Sequence, residues 1–204
     1  MKQLIIIGAS GHGKVVADIA EKMGYDPIGF LDDNGEVTSC NGCPVLGKTN
    51  GFSDFNCEFF VAIGNNVIRA RIQKVLEDAG KQVATLIHPN AVVGKGVELG
   101  QGTVVMAGAV INPGAKIGKG CIINTCASVD HDCLLGDFVH LSVGAHMAGG
   151  CFVGDGSFIA TGATVINNIR ICADTVIGAG GVVIRNIEEP GTYVGCPVRK
   201  RMEK

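Results

Sequence analysis

Three histidines fall inside one short stretch, His131, His140 and His146, and they are the groups best suited to proton chemistry. His131 lies in Val129-Asp130-His131-Asp132-Cys133, with a carboxylate on each side. A neighbouring carboxylate favours the protonated imidazole and raises its basicity, which is what a general base needs. A second group stands near the N-terminus: Gly8-Ala9-Ser10-Gly11-His12-Gly13, then Asp32-Asp33, then Gly64-Asn65-Asn66. Its Gly-x-x-Gly-x-Gly spacing departs from the dinucleotide fingerprint. Glycines ahead of a helix still let backbone N–H groups approach a phosphate. A tight turn with a solvated acidic loop is the other reading. Cys40-x-x-Cys43 resembles half a zinc site, but a structural zinc needs four ligands and no second pair lies nearby, so no metal is assigned. A nucleophilic triad is disfavoured, because there is no Gly-x-Ser-x-Gly and no cysteine at the His131 position.

The element that must position His131 is a repeat. From Ile87 to Val183 an aliphatic residue returns at every sixth position through seventeen hexads, ending at Glu188. Three residues after it stands Gly, Asn or Asp in fifteen of the seventeen, the exceptions being Cys126 and Phe138. These types tolerate positive φ, so the position reads as a left-handed corner. Four residues after it the side chain is mostly small, as at Ala109, Cys121, Ala127, Cys133, Ala145, Cys151 and Ala163. A strict period of six fits neither a helix nor an alternating sandwich. It predicts short parallel strands coiled into a triangular prism of a little under six coils, roughly 27 Å tall. Aliphatic and small positions face inward, which makes Cys121, Cys133 and Cys151 packing residues. His131, two residues after Val129, points outward from a corner. Asp132 occupies the corner position itself, so it is either a charge partner or a backbone residue. Eighteen residues per coil place Gly149 directly over His131 and Pro113 under it, which brings a glycine amide within reach of a thioester at His131.

Residues 1–86 follow a different pattern: a buried strand over Lys2–Ile7, the Gly-rich turn, a helix from about Lys14 to Met23, and a strand over Pro27–Leu31 ending at Asp32-Asp33. A third strand, Cys57–Ile63, leads to a helix from Val67 to Ala79 with Val67, Ile68, Ile72, Val75 and Leu76 on one face. Strand, Gly-rich turn, helix and strand is an α/β nucleotide-binding arrangement. The expected organisation is therefore a small Rossmann-like domain (1–86), a hexapeptide β-helix (87–188) and a C-terminal tail (189–204).

Composition narrows the rest. Apolar residues are 47% but aromatics only 5%, with no Trp, so the core is built of small aliphatics. A net charge of −2 leaves no electrostatic footprint for nucleic acid. No apolar run approaches a membrane span, and Leu4–Ile7 is too short for a signal peptide. Nine cysteines without a secretory signal indicate reduced thiols and a cytoplasmic setting.

Taken together, these blocks resemble bacterial sugar acyltransferases that join a small nucleotide-binding domain to a left-handed β-helix, and the resemblance covers nearly the whole chain. It is nearest to UDP-4-amino-sugar N-acetyltransferases, as in bacillosamine biosynthesis, with sialic acid O-acetyltransferases sharing the layout. It is carried by Gly8–Gly13, Phe30-Leu31-Asp32-Asp33, Ala62-Ile63-Gly64-Asn65-Asn66 with Ile68-Arg69, Asn124-Thr125, Val129–Cys133, Ser142-Val143-Gly144-Ala145 and Val194-Gly195-Cys196-Pro197. The left hand of the coil comes from this resemblance, since periodicity does not give it. The resemblance implies a homotrimer with active sites between prisms, acetyl-CoA in the cleft and a UDP-amino-sugar reaching in from the N-terminal domain. It implies His131 as general base, Asp132 raising its basicity, and the Gly149 amide polarising the thioester. It further implies coenzyme A contacts at His140, Thr161 and Ala179, and nucleotide-sugar contacts at Ser10, Gly11, His12, Asp32, Asp33 and Gly64. Where the family carries Glu, Asp132 is one methylene shorter. Two other readings are a sialic acid O-acetyltransferase and a non-catalytic hexapeptide-repeat carbohydrate-binding scaffold. An NAD-dependent oxidoreductase is disfavoured by the missing fingerprint.

Overall fold

The computed structural model describes residues 2–201, and the chain divides into two compact units after Pro89.

The first unit runs β1 (Lys2–Ile7), α1 (Gly11–Lys22), β2 (Tyr25–Leu31), β3 (Ser39–Cys40), β4 (Cys43–Gly47), a 3-10 turn (Thr49–Asp54), β5 (Glu58–Val61) and α2 (Asn66–Asp78). The sheet order is β3-β4-β2-β1-β5, parallel throughout except for the β3–β4 hairpin. β1 is an interior strand, and its Leu4, Ile5, Ile6 and Ile7 are wholly buried, as a parallel strand covered on both faces requires. β2 lies on one side of β1 and β5 on the other. The loops leaving β1 and β5 therefore part over a crevice at their carboxyl ends, where open α/β sheets take ligands.

α2 departs from its expected face. Val67 is 76% exposed, and Ile68 and Val75 are also exposed, whereas Arg69, Gln73 and Leu76 are buried. The cause is Arg69. Its guanidinium donates to the carbonyls of Ile63 and Gly64 and to Asn66 Oδ1, so the β5–α2 loop supplies the acceptors that a buried cation needs.

The second unit is a parallel β-helix, built almost entirely of two-residue strands on three faces. One face stacks Val92, Val110, Ser128, His146, Thr164 and Val182, each paired with the residue eighteen further on. The other faces stack from Glu98 to Arg170 and from Val104 to Val176 in the same register. Repeat aliphatics from Val105 to Val183 are buried, as are the small residues between them. Each such aliphatic contributes about 1.5–3 kcal/mol by burial, so the stack is a long sum of similar increments. The first coil is the looser one: Val93 is 38% exposed, since a terminal coil has a neighbour on one side only.

Fifteen corners have positive φ. They include the two whose residue type did not predict it, Cys126 at +55° and Phe138 at +57°, while Asn90 and Asn186, at the ends of the repeat, do not take this conformation. The coil also shortens at its end. Ile171 bridges Ile187, and Thr175–Ile177 pairs with Gly191–Tyr193, a step of sixteen residues. The segment set apart as a tail is thus built into the stack, and Arg199–Lys200 closes it with an antiparallel strand. Residues 202–204 of that segment lie outside the described residues.

Candidate active site

The hexad register delivers His131 to the surface. Val129 is fully buried, and the corner that follows is pinned to both neighbouring coils: Asp132 N–H donates to Pro113 O at 3.2 Å, and Gly150 N–H donates to His131 O at 2.9 Å. The His131 side chain remains 62% exposed. Asp132 adopts φ +57°, the left-handed corner, and its Oδ2 lies 2.8 Å from His131 Nδ1. The backbone reading and the charge-partner reading therefore hold in the same residue. Left-handed backbone turns the short carboxylate back along the chain, within reach of the ring that precedes it.

Asp130 Oδ1 accepts from Asn112 Nδ2 at 2.7 Å and from the His131 N–H at 2.8 Å. These bonds, the Asn112 amide foremost, hold its carboxyl below the usual range. The Asp132 hydrogen bond, followed by the Asp130 charge, raises the His131 pKa above its ordinary value. With Nδ1–H donating to Asp132, Nε2 carries the free lone pair. That nitrogen packs against Gly149, where a Cβ would come within 2.5 Å of it. Among the described residues the Gly149 N–H has no acceptor, so a base and a vacant donor lie together on one corner.

His140 lies on the adjacent face. Asn124 Oδ1 accepts from Thr125 N–H at 2.8 Å, which fixes the amide so that its Nδ2 donates to His140 Nε2 at 3.1 Å. His140 thus accepts at Nε2, which leaves Nδ1 as the protonated nitrogen, and its ring lies 5.0 Å from Phe158. Thr161 and Ala179 are exposed on the corner that follows this face, with Thr161 Oγ1 3.2 Å from Ser142 Oγ. His131 and Gly149 therefore share one edge of the prism, while Thr161 and Ala179 share the neighbouring edge, one six-residue side away. His146, half of a surface pair with Ser128 (Nδ1 to Oγ 2.8 Å), faces outward on the coil above His131. Asn112 and Asn124 were absent from the expected site. The eighteen-residue column that links Asn112 to Asp130 is the signal that could have found the first.

In the first unit, Gly8 and Gly13 are required by packing: a Cβ would meet Ala62 O at 2.8 Å and Gly8 O at 2.1 Å respectively. Gly11 and Gly64 have open space around them. Ser10, the N-cap of α1, makes no side-chain capping bond, and the first turn carries no acidic residue, which leaves helix N–H groups for an anion. His12, in that first turn, is driven down to a pKa of about 4 by burial and by the Arg69 cation, so it is neutral at pH 7. Its Nε2 is buried without a hydrogen-bond partner among the described residues. Asp32 ties the end of β2 to the loop, accepting from Ala9 N–H at 2.6 Å and from Asn34 N–H at 2.8 Å. Asp33 accepts from Thr49 N–H at 2.9 Å and borders a cavity of about 330 Å³, lined also by Lys48, Phe52, Arg71, Ile72 and Val75. Among the described residues no cluster of His, Cys, Asp or Glu could hold a metal, and no helix is long and apolar enough to cross a membrane.

Comparison with known proteins gives this geometry a relative at both ends. Residues 3–76 match the PglD N-terminal domain. A UDP-N-acetylbacillosamine N-acetyltransferase from Bacillus subtilis is 37% identical over 113 residues, 52% of this chain; the chain spans about half the length of that curated relative, 52%. The acetyltransferase domain of PglB from Neisseria gonorrhoeae, in complex with acetyl coenzyme A, is 42% identical over 98% of this chain and 99% of its own, with a TM-score of 0.95. The chain belongs to the PglD/PerB family of sugar N-acetyltransferases. A histidine-to-asparagine variant of perosamine N-acetyltransferase from Caulobacter crescentus, in complex with CoA and GDP-perosamine, extends the family likeness. It is 37% identical over 100% of this chain and 98% of its own, with a TM-score of 0.95. Membership also gives the coil its left hand. As a PglD/PerB-type chain, it carries its α/β unit and its β-helix in the order that the sequence predicts.

Proposed function

We propose that the protein transfers the acetyl group of acetyl-CoA to the 4-amino group of a UDP-linked 4-amino-4,6-dideoxy sugar in glycan biosynthesis, with His131 as general base. The observation that carries this reading is the His131 corner: Nδ1 held by Asp132, and Nε2 packed against Gly149, both Nε2 and the Gly149 N–H being without a hydrogen-bond partner among the described residues. The amine nitrogen attacks the thioester carbonyl while Nε2 of His131 accepts its proton. The Gly149 N–H donates to the carbonyl oxygen as charge develops there. Collapse breaks the C–S bond, and the imidazolium returns the proton to the departing CoA sulfur, so no net proton is left on the enzyme.

The N-terminal unit supports the acceptor half of this reading. The open N-terminus of α1 suits a diphosphate, with Ser10, Gly11 and His12 around it and Gly64 across the crevice. Neutral His12 offers a hydrogen bond without charge, and the cavity beside Asp33 has the size of a nucleoside. His140, Thr161 and Ala179 would contact coenzyme A. Because they sit one edge away from His131, the site is completed against a neighbouring prism, and the working form is a homotrimer in the cytoplasm. The Bacillus subtilis and Caulobacter crescentus relatives are named N-acetyltransferases, which favours amine over hydroxyl as the acceptor. One observation favours a second nucleotide: a relative matched along its whole length binds GDP-perosamine.

A mass-shift screen tests the proposal. Purified protein with acetyl-CoA is offered UDP- and GDP-linked 4-amino sugars and, separately, free and CMP-linked sialic acid. Acetylation of a nucleotide-linked amino sugar is expected. Transfer to sialic acid alone would replace the reading with O-acetylation, and transfer to nothing would return the scaffold reading.

A further inference from the structure

The Cys40-x-x-Cys43 pair belongs to no step of the proposed reaction, yet the fold gives it a defined arrangement. The two cysteines flank a two-residue turn, Asn41-Gly42, with φ of +50° and +78°, the type I′ geometry of a tight hairpin. They are direct cross-strand partners, β3 to β4, and Val45 N–H donates to Thr38 O two positions further along. Alternation then makes Cys40–Cys43 a hydrogen-bonded pair and puts Pro44, which has no N–H, at the unbonded position between. Side chains of directly paired residues project from the same face. Their Cα atoms are about 5.5 Å apart by strand geometry, inside the range a disulfide spans.

The sulfurs are at present turned to different acceptors. Cys40, 4% exposed, has its Sγ 3.7 Å from Ser10 O, while Cys43, more accessible, has its Sγ 3.3 Å from Pro27 O. Ser10 is the N-cap of α1, and its carbonyl also accepts the first helical bond, from Lys14 N–H at 3.0 Å. A sulfur within contact of that carbonyl links the hairpin to the loop assigned above to the diphosphate.

We infer that Cys40 and Cys43 are a reversible dithiol–disulfide site whose oxidation loosens the Ser10 loop and weakens nucleotide-sugar binding. The oxidant is a low-molecular-weight disulfide. The thiolate of the accessible Cys43 attacks one of its sulfurs, forming a mixed disulfide and releasing one thiol. The Cys40 thiolate then displaces the second thiol and closes the Cys40–Cys43 bond. Two protein thiols are oxidised, one external disulfide is reduced to two thiols, and both protons leave with those products. Cross-strand Cβ atoms stand farther apart than the two Cβ atoms of a disulfide, so closure pulls the strands together and draws Cys40 Sγ off Ser10 O. Burial raises both thiols above their ordinary pKa, so the reduced pair is protonated and slow to react at neutral pH.

The test incubates the intact protein with excess oxidised glutathione and maps peptides without reduction. A loss of about two mass units confined to the peptide that holds both cysteines is expected. It should come with faster amide exchange over residues 11–14 and a rise of about fivefold in KM for the nucleotide sugar, the scale of one lost hydrogen bond. Little change in kcat and full recovery with dithiothreitol are expected. Cys43→Ser should keep the reduced KM and lose the response to oxidant. Absence of the bridge, a glutathione adduct in its place, or a bridge that leaves both exchange and KM unchanged overturns the inference. The KM effect rests on the diphosphate reading of the Ser10 loop, whereas the bridge and the exchange do not. If no nucleotide sugar is turned over, the proposed function fails while those two measurements still decide this one.

Discussion

At the scale of single residues, Asp132 and Gly149 decide what His131 can do. Asp132 serves the backbone through φ +57° and the ring through a 2.8 Å hydrogen bond. Asn tolerates the same left-handed backbone, so Asp132→Asn removes the charge while keeping the corner. A general base works deprotonated, and the pKa of His131 is raised, so kcat/KM should climb with pH through a value above 6.5. In Asp132→Asn that limb should move to lower pH, with a plateau about tenfold lower as the base weakens. A limb that stays in place would assign the pKa to another group. Gly149 is a different case, because the ring occupies the space its Cβ would fill. Gly149→Ala should lower kcat/KM by about 10²-fold by displacing the imidazole, with thermal stability almost unchanged, because the only group that must move is the exposed His131 ring. Kinetics and a melting curve on one preparation check both parts.

At the scale of elements, the α1 turn and the coil corners make separable predictions. His12 has a depressed folded pKa, about 4 against 6.5 unfolded, so the unfolded chain binds its proton first. Stability from this residue is present above pH 6.5 and is lost as pH falls toward 4, by about 3 kcal/mol. His12→Gln should flatten that loss in denaturant titrations across the window. Cys126 holds φ +55° without the glycine that most corners have. Cys126→Gly should therefore stabilise the coil by about 0.5–1 kcal/mol, read as a shift in the denaturant midpoint, and Cys126→Val should destabilise it.

Much of this was legible because a period of six is an absolute register. It assigned inward and outward positions from Ile87 to Val183 and put Gly149 over His131. It could not show Cys126 and Phe138 in left-handed corners, since stacking on the coils above and below imposes that backbone whatever the side chain. Nor could it show that Asp132 has two roles, because that needs the direction of a side chain. On α2, hydrophobicity pointed to Val67 and Val75, but carbonyls of the β5–α2 loop drew Arg69 inward instead. A helix whose buried face is set by hydrogen-bond acceptors in another segment cannot be read from its own periodicity.

At the scale of the molecule, the chain pairs an α/β unit with a prism that carries His131 on one edge and Thr161 and Ala179 on the next; in the proposed reading the α/β unit takes the nucleotide, His131 is the base and the other two face coenzyme A. The proposed site is completed by neighbouring copies, so light scattering at three times the chain mass is the expected result; a monomer with full activity would contradict it. The central claim is that His131 takes the proton from a nucleotide-linked amino sugar as it is acetylated. The most direct test compares wild type with His131→Ala for acetyl transfer to that acceptor, with binding of both substrates measured alongside. The account predicts a fall in kcat/KM of roughly 10²-fold or more, with coenzyme A and sugar-nucleotide affinities retained. Transfer at the wild-type rate by the variant would contradict it.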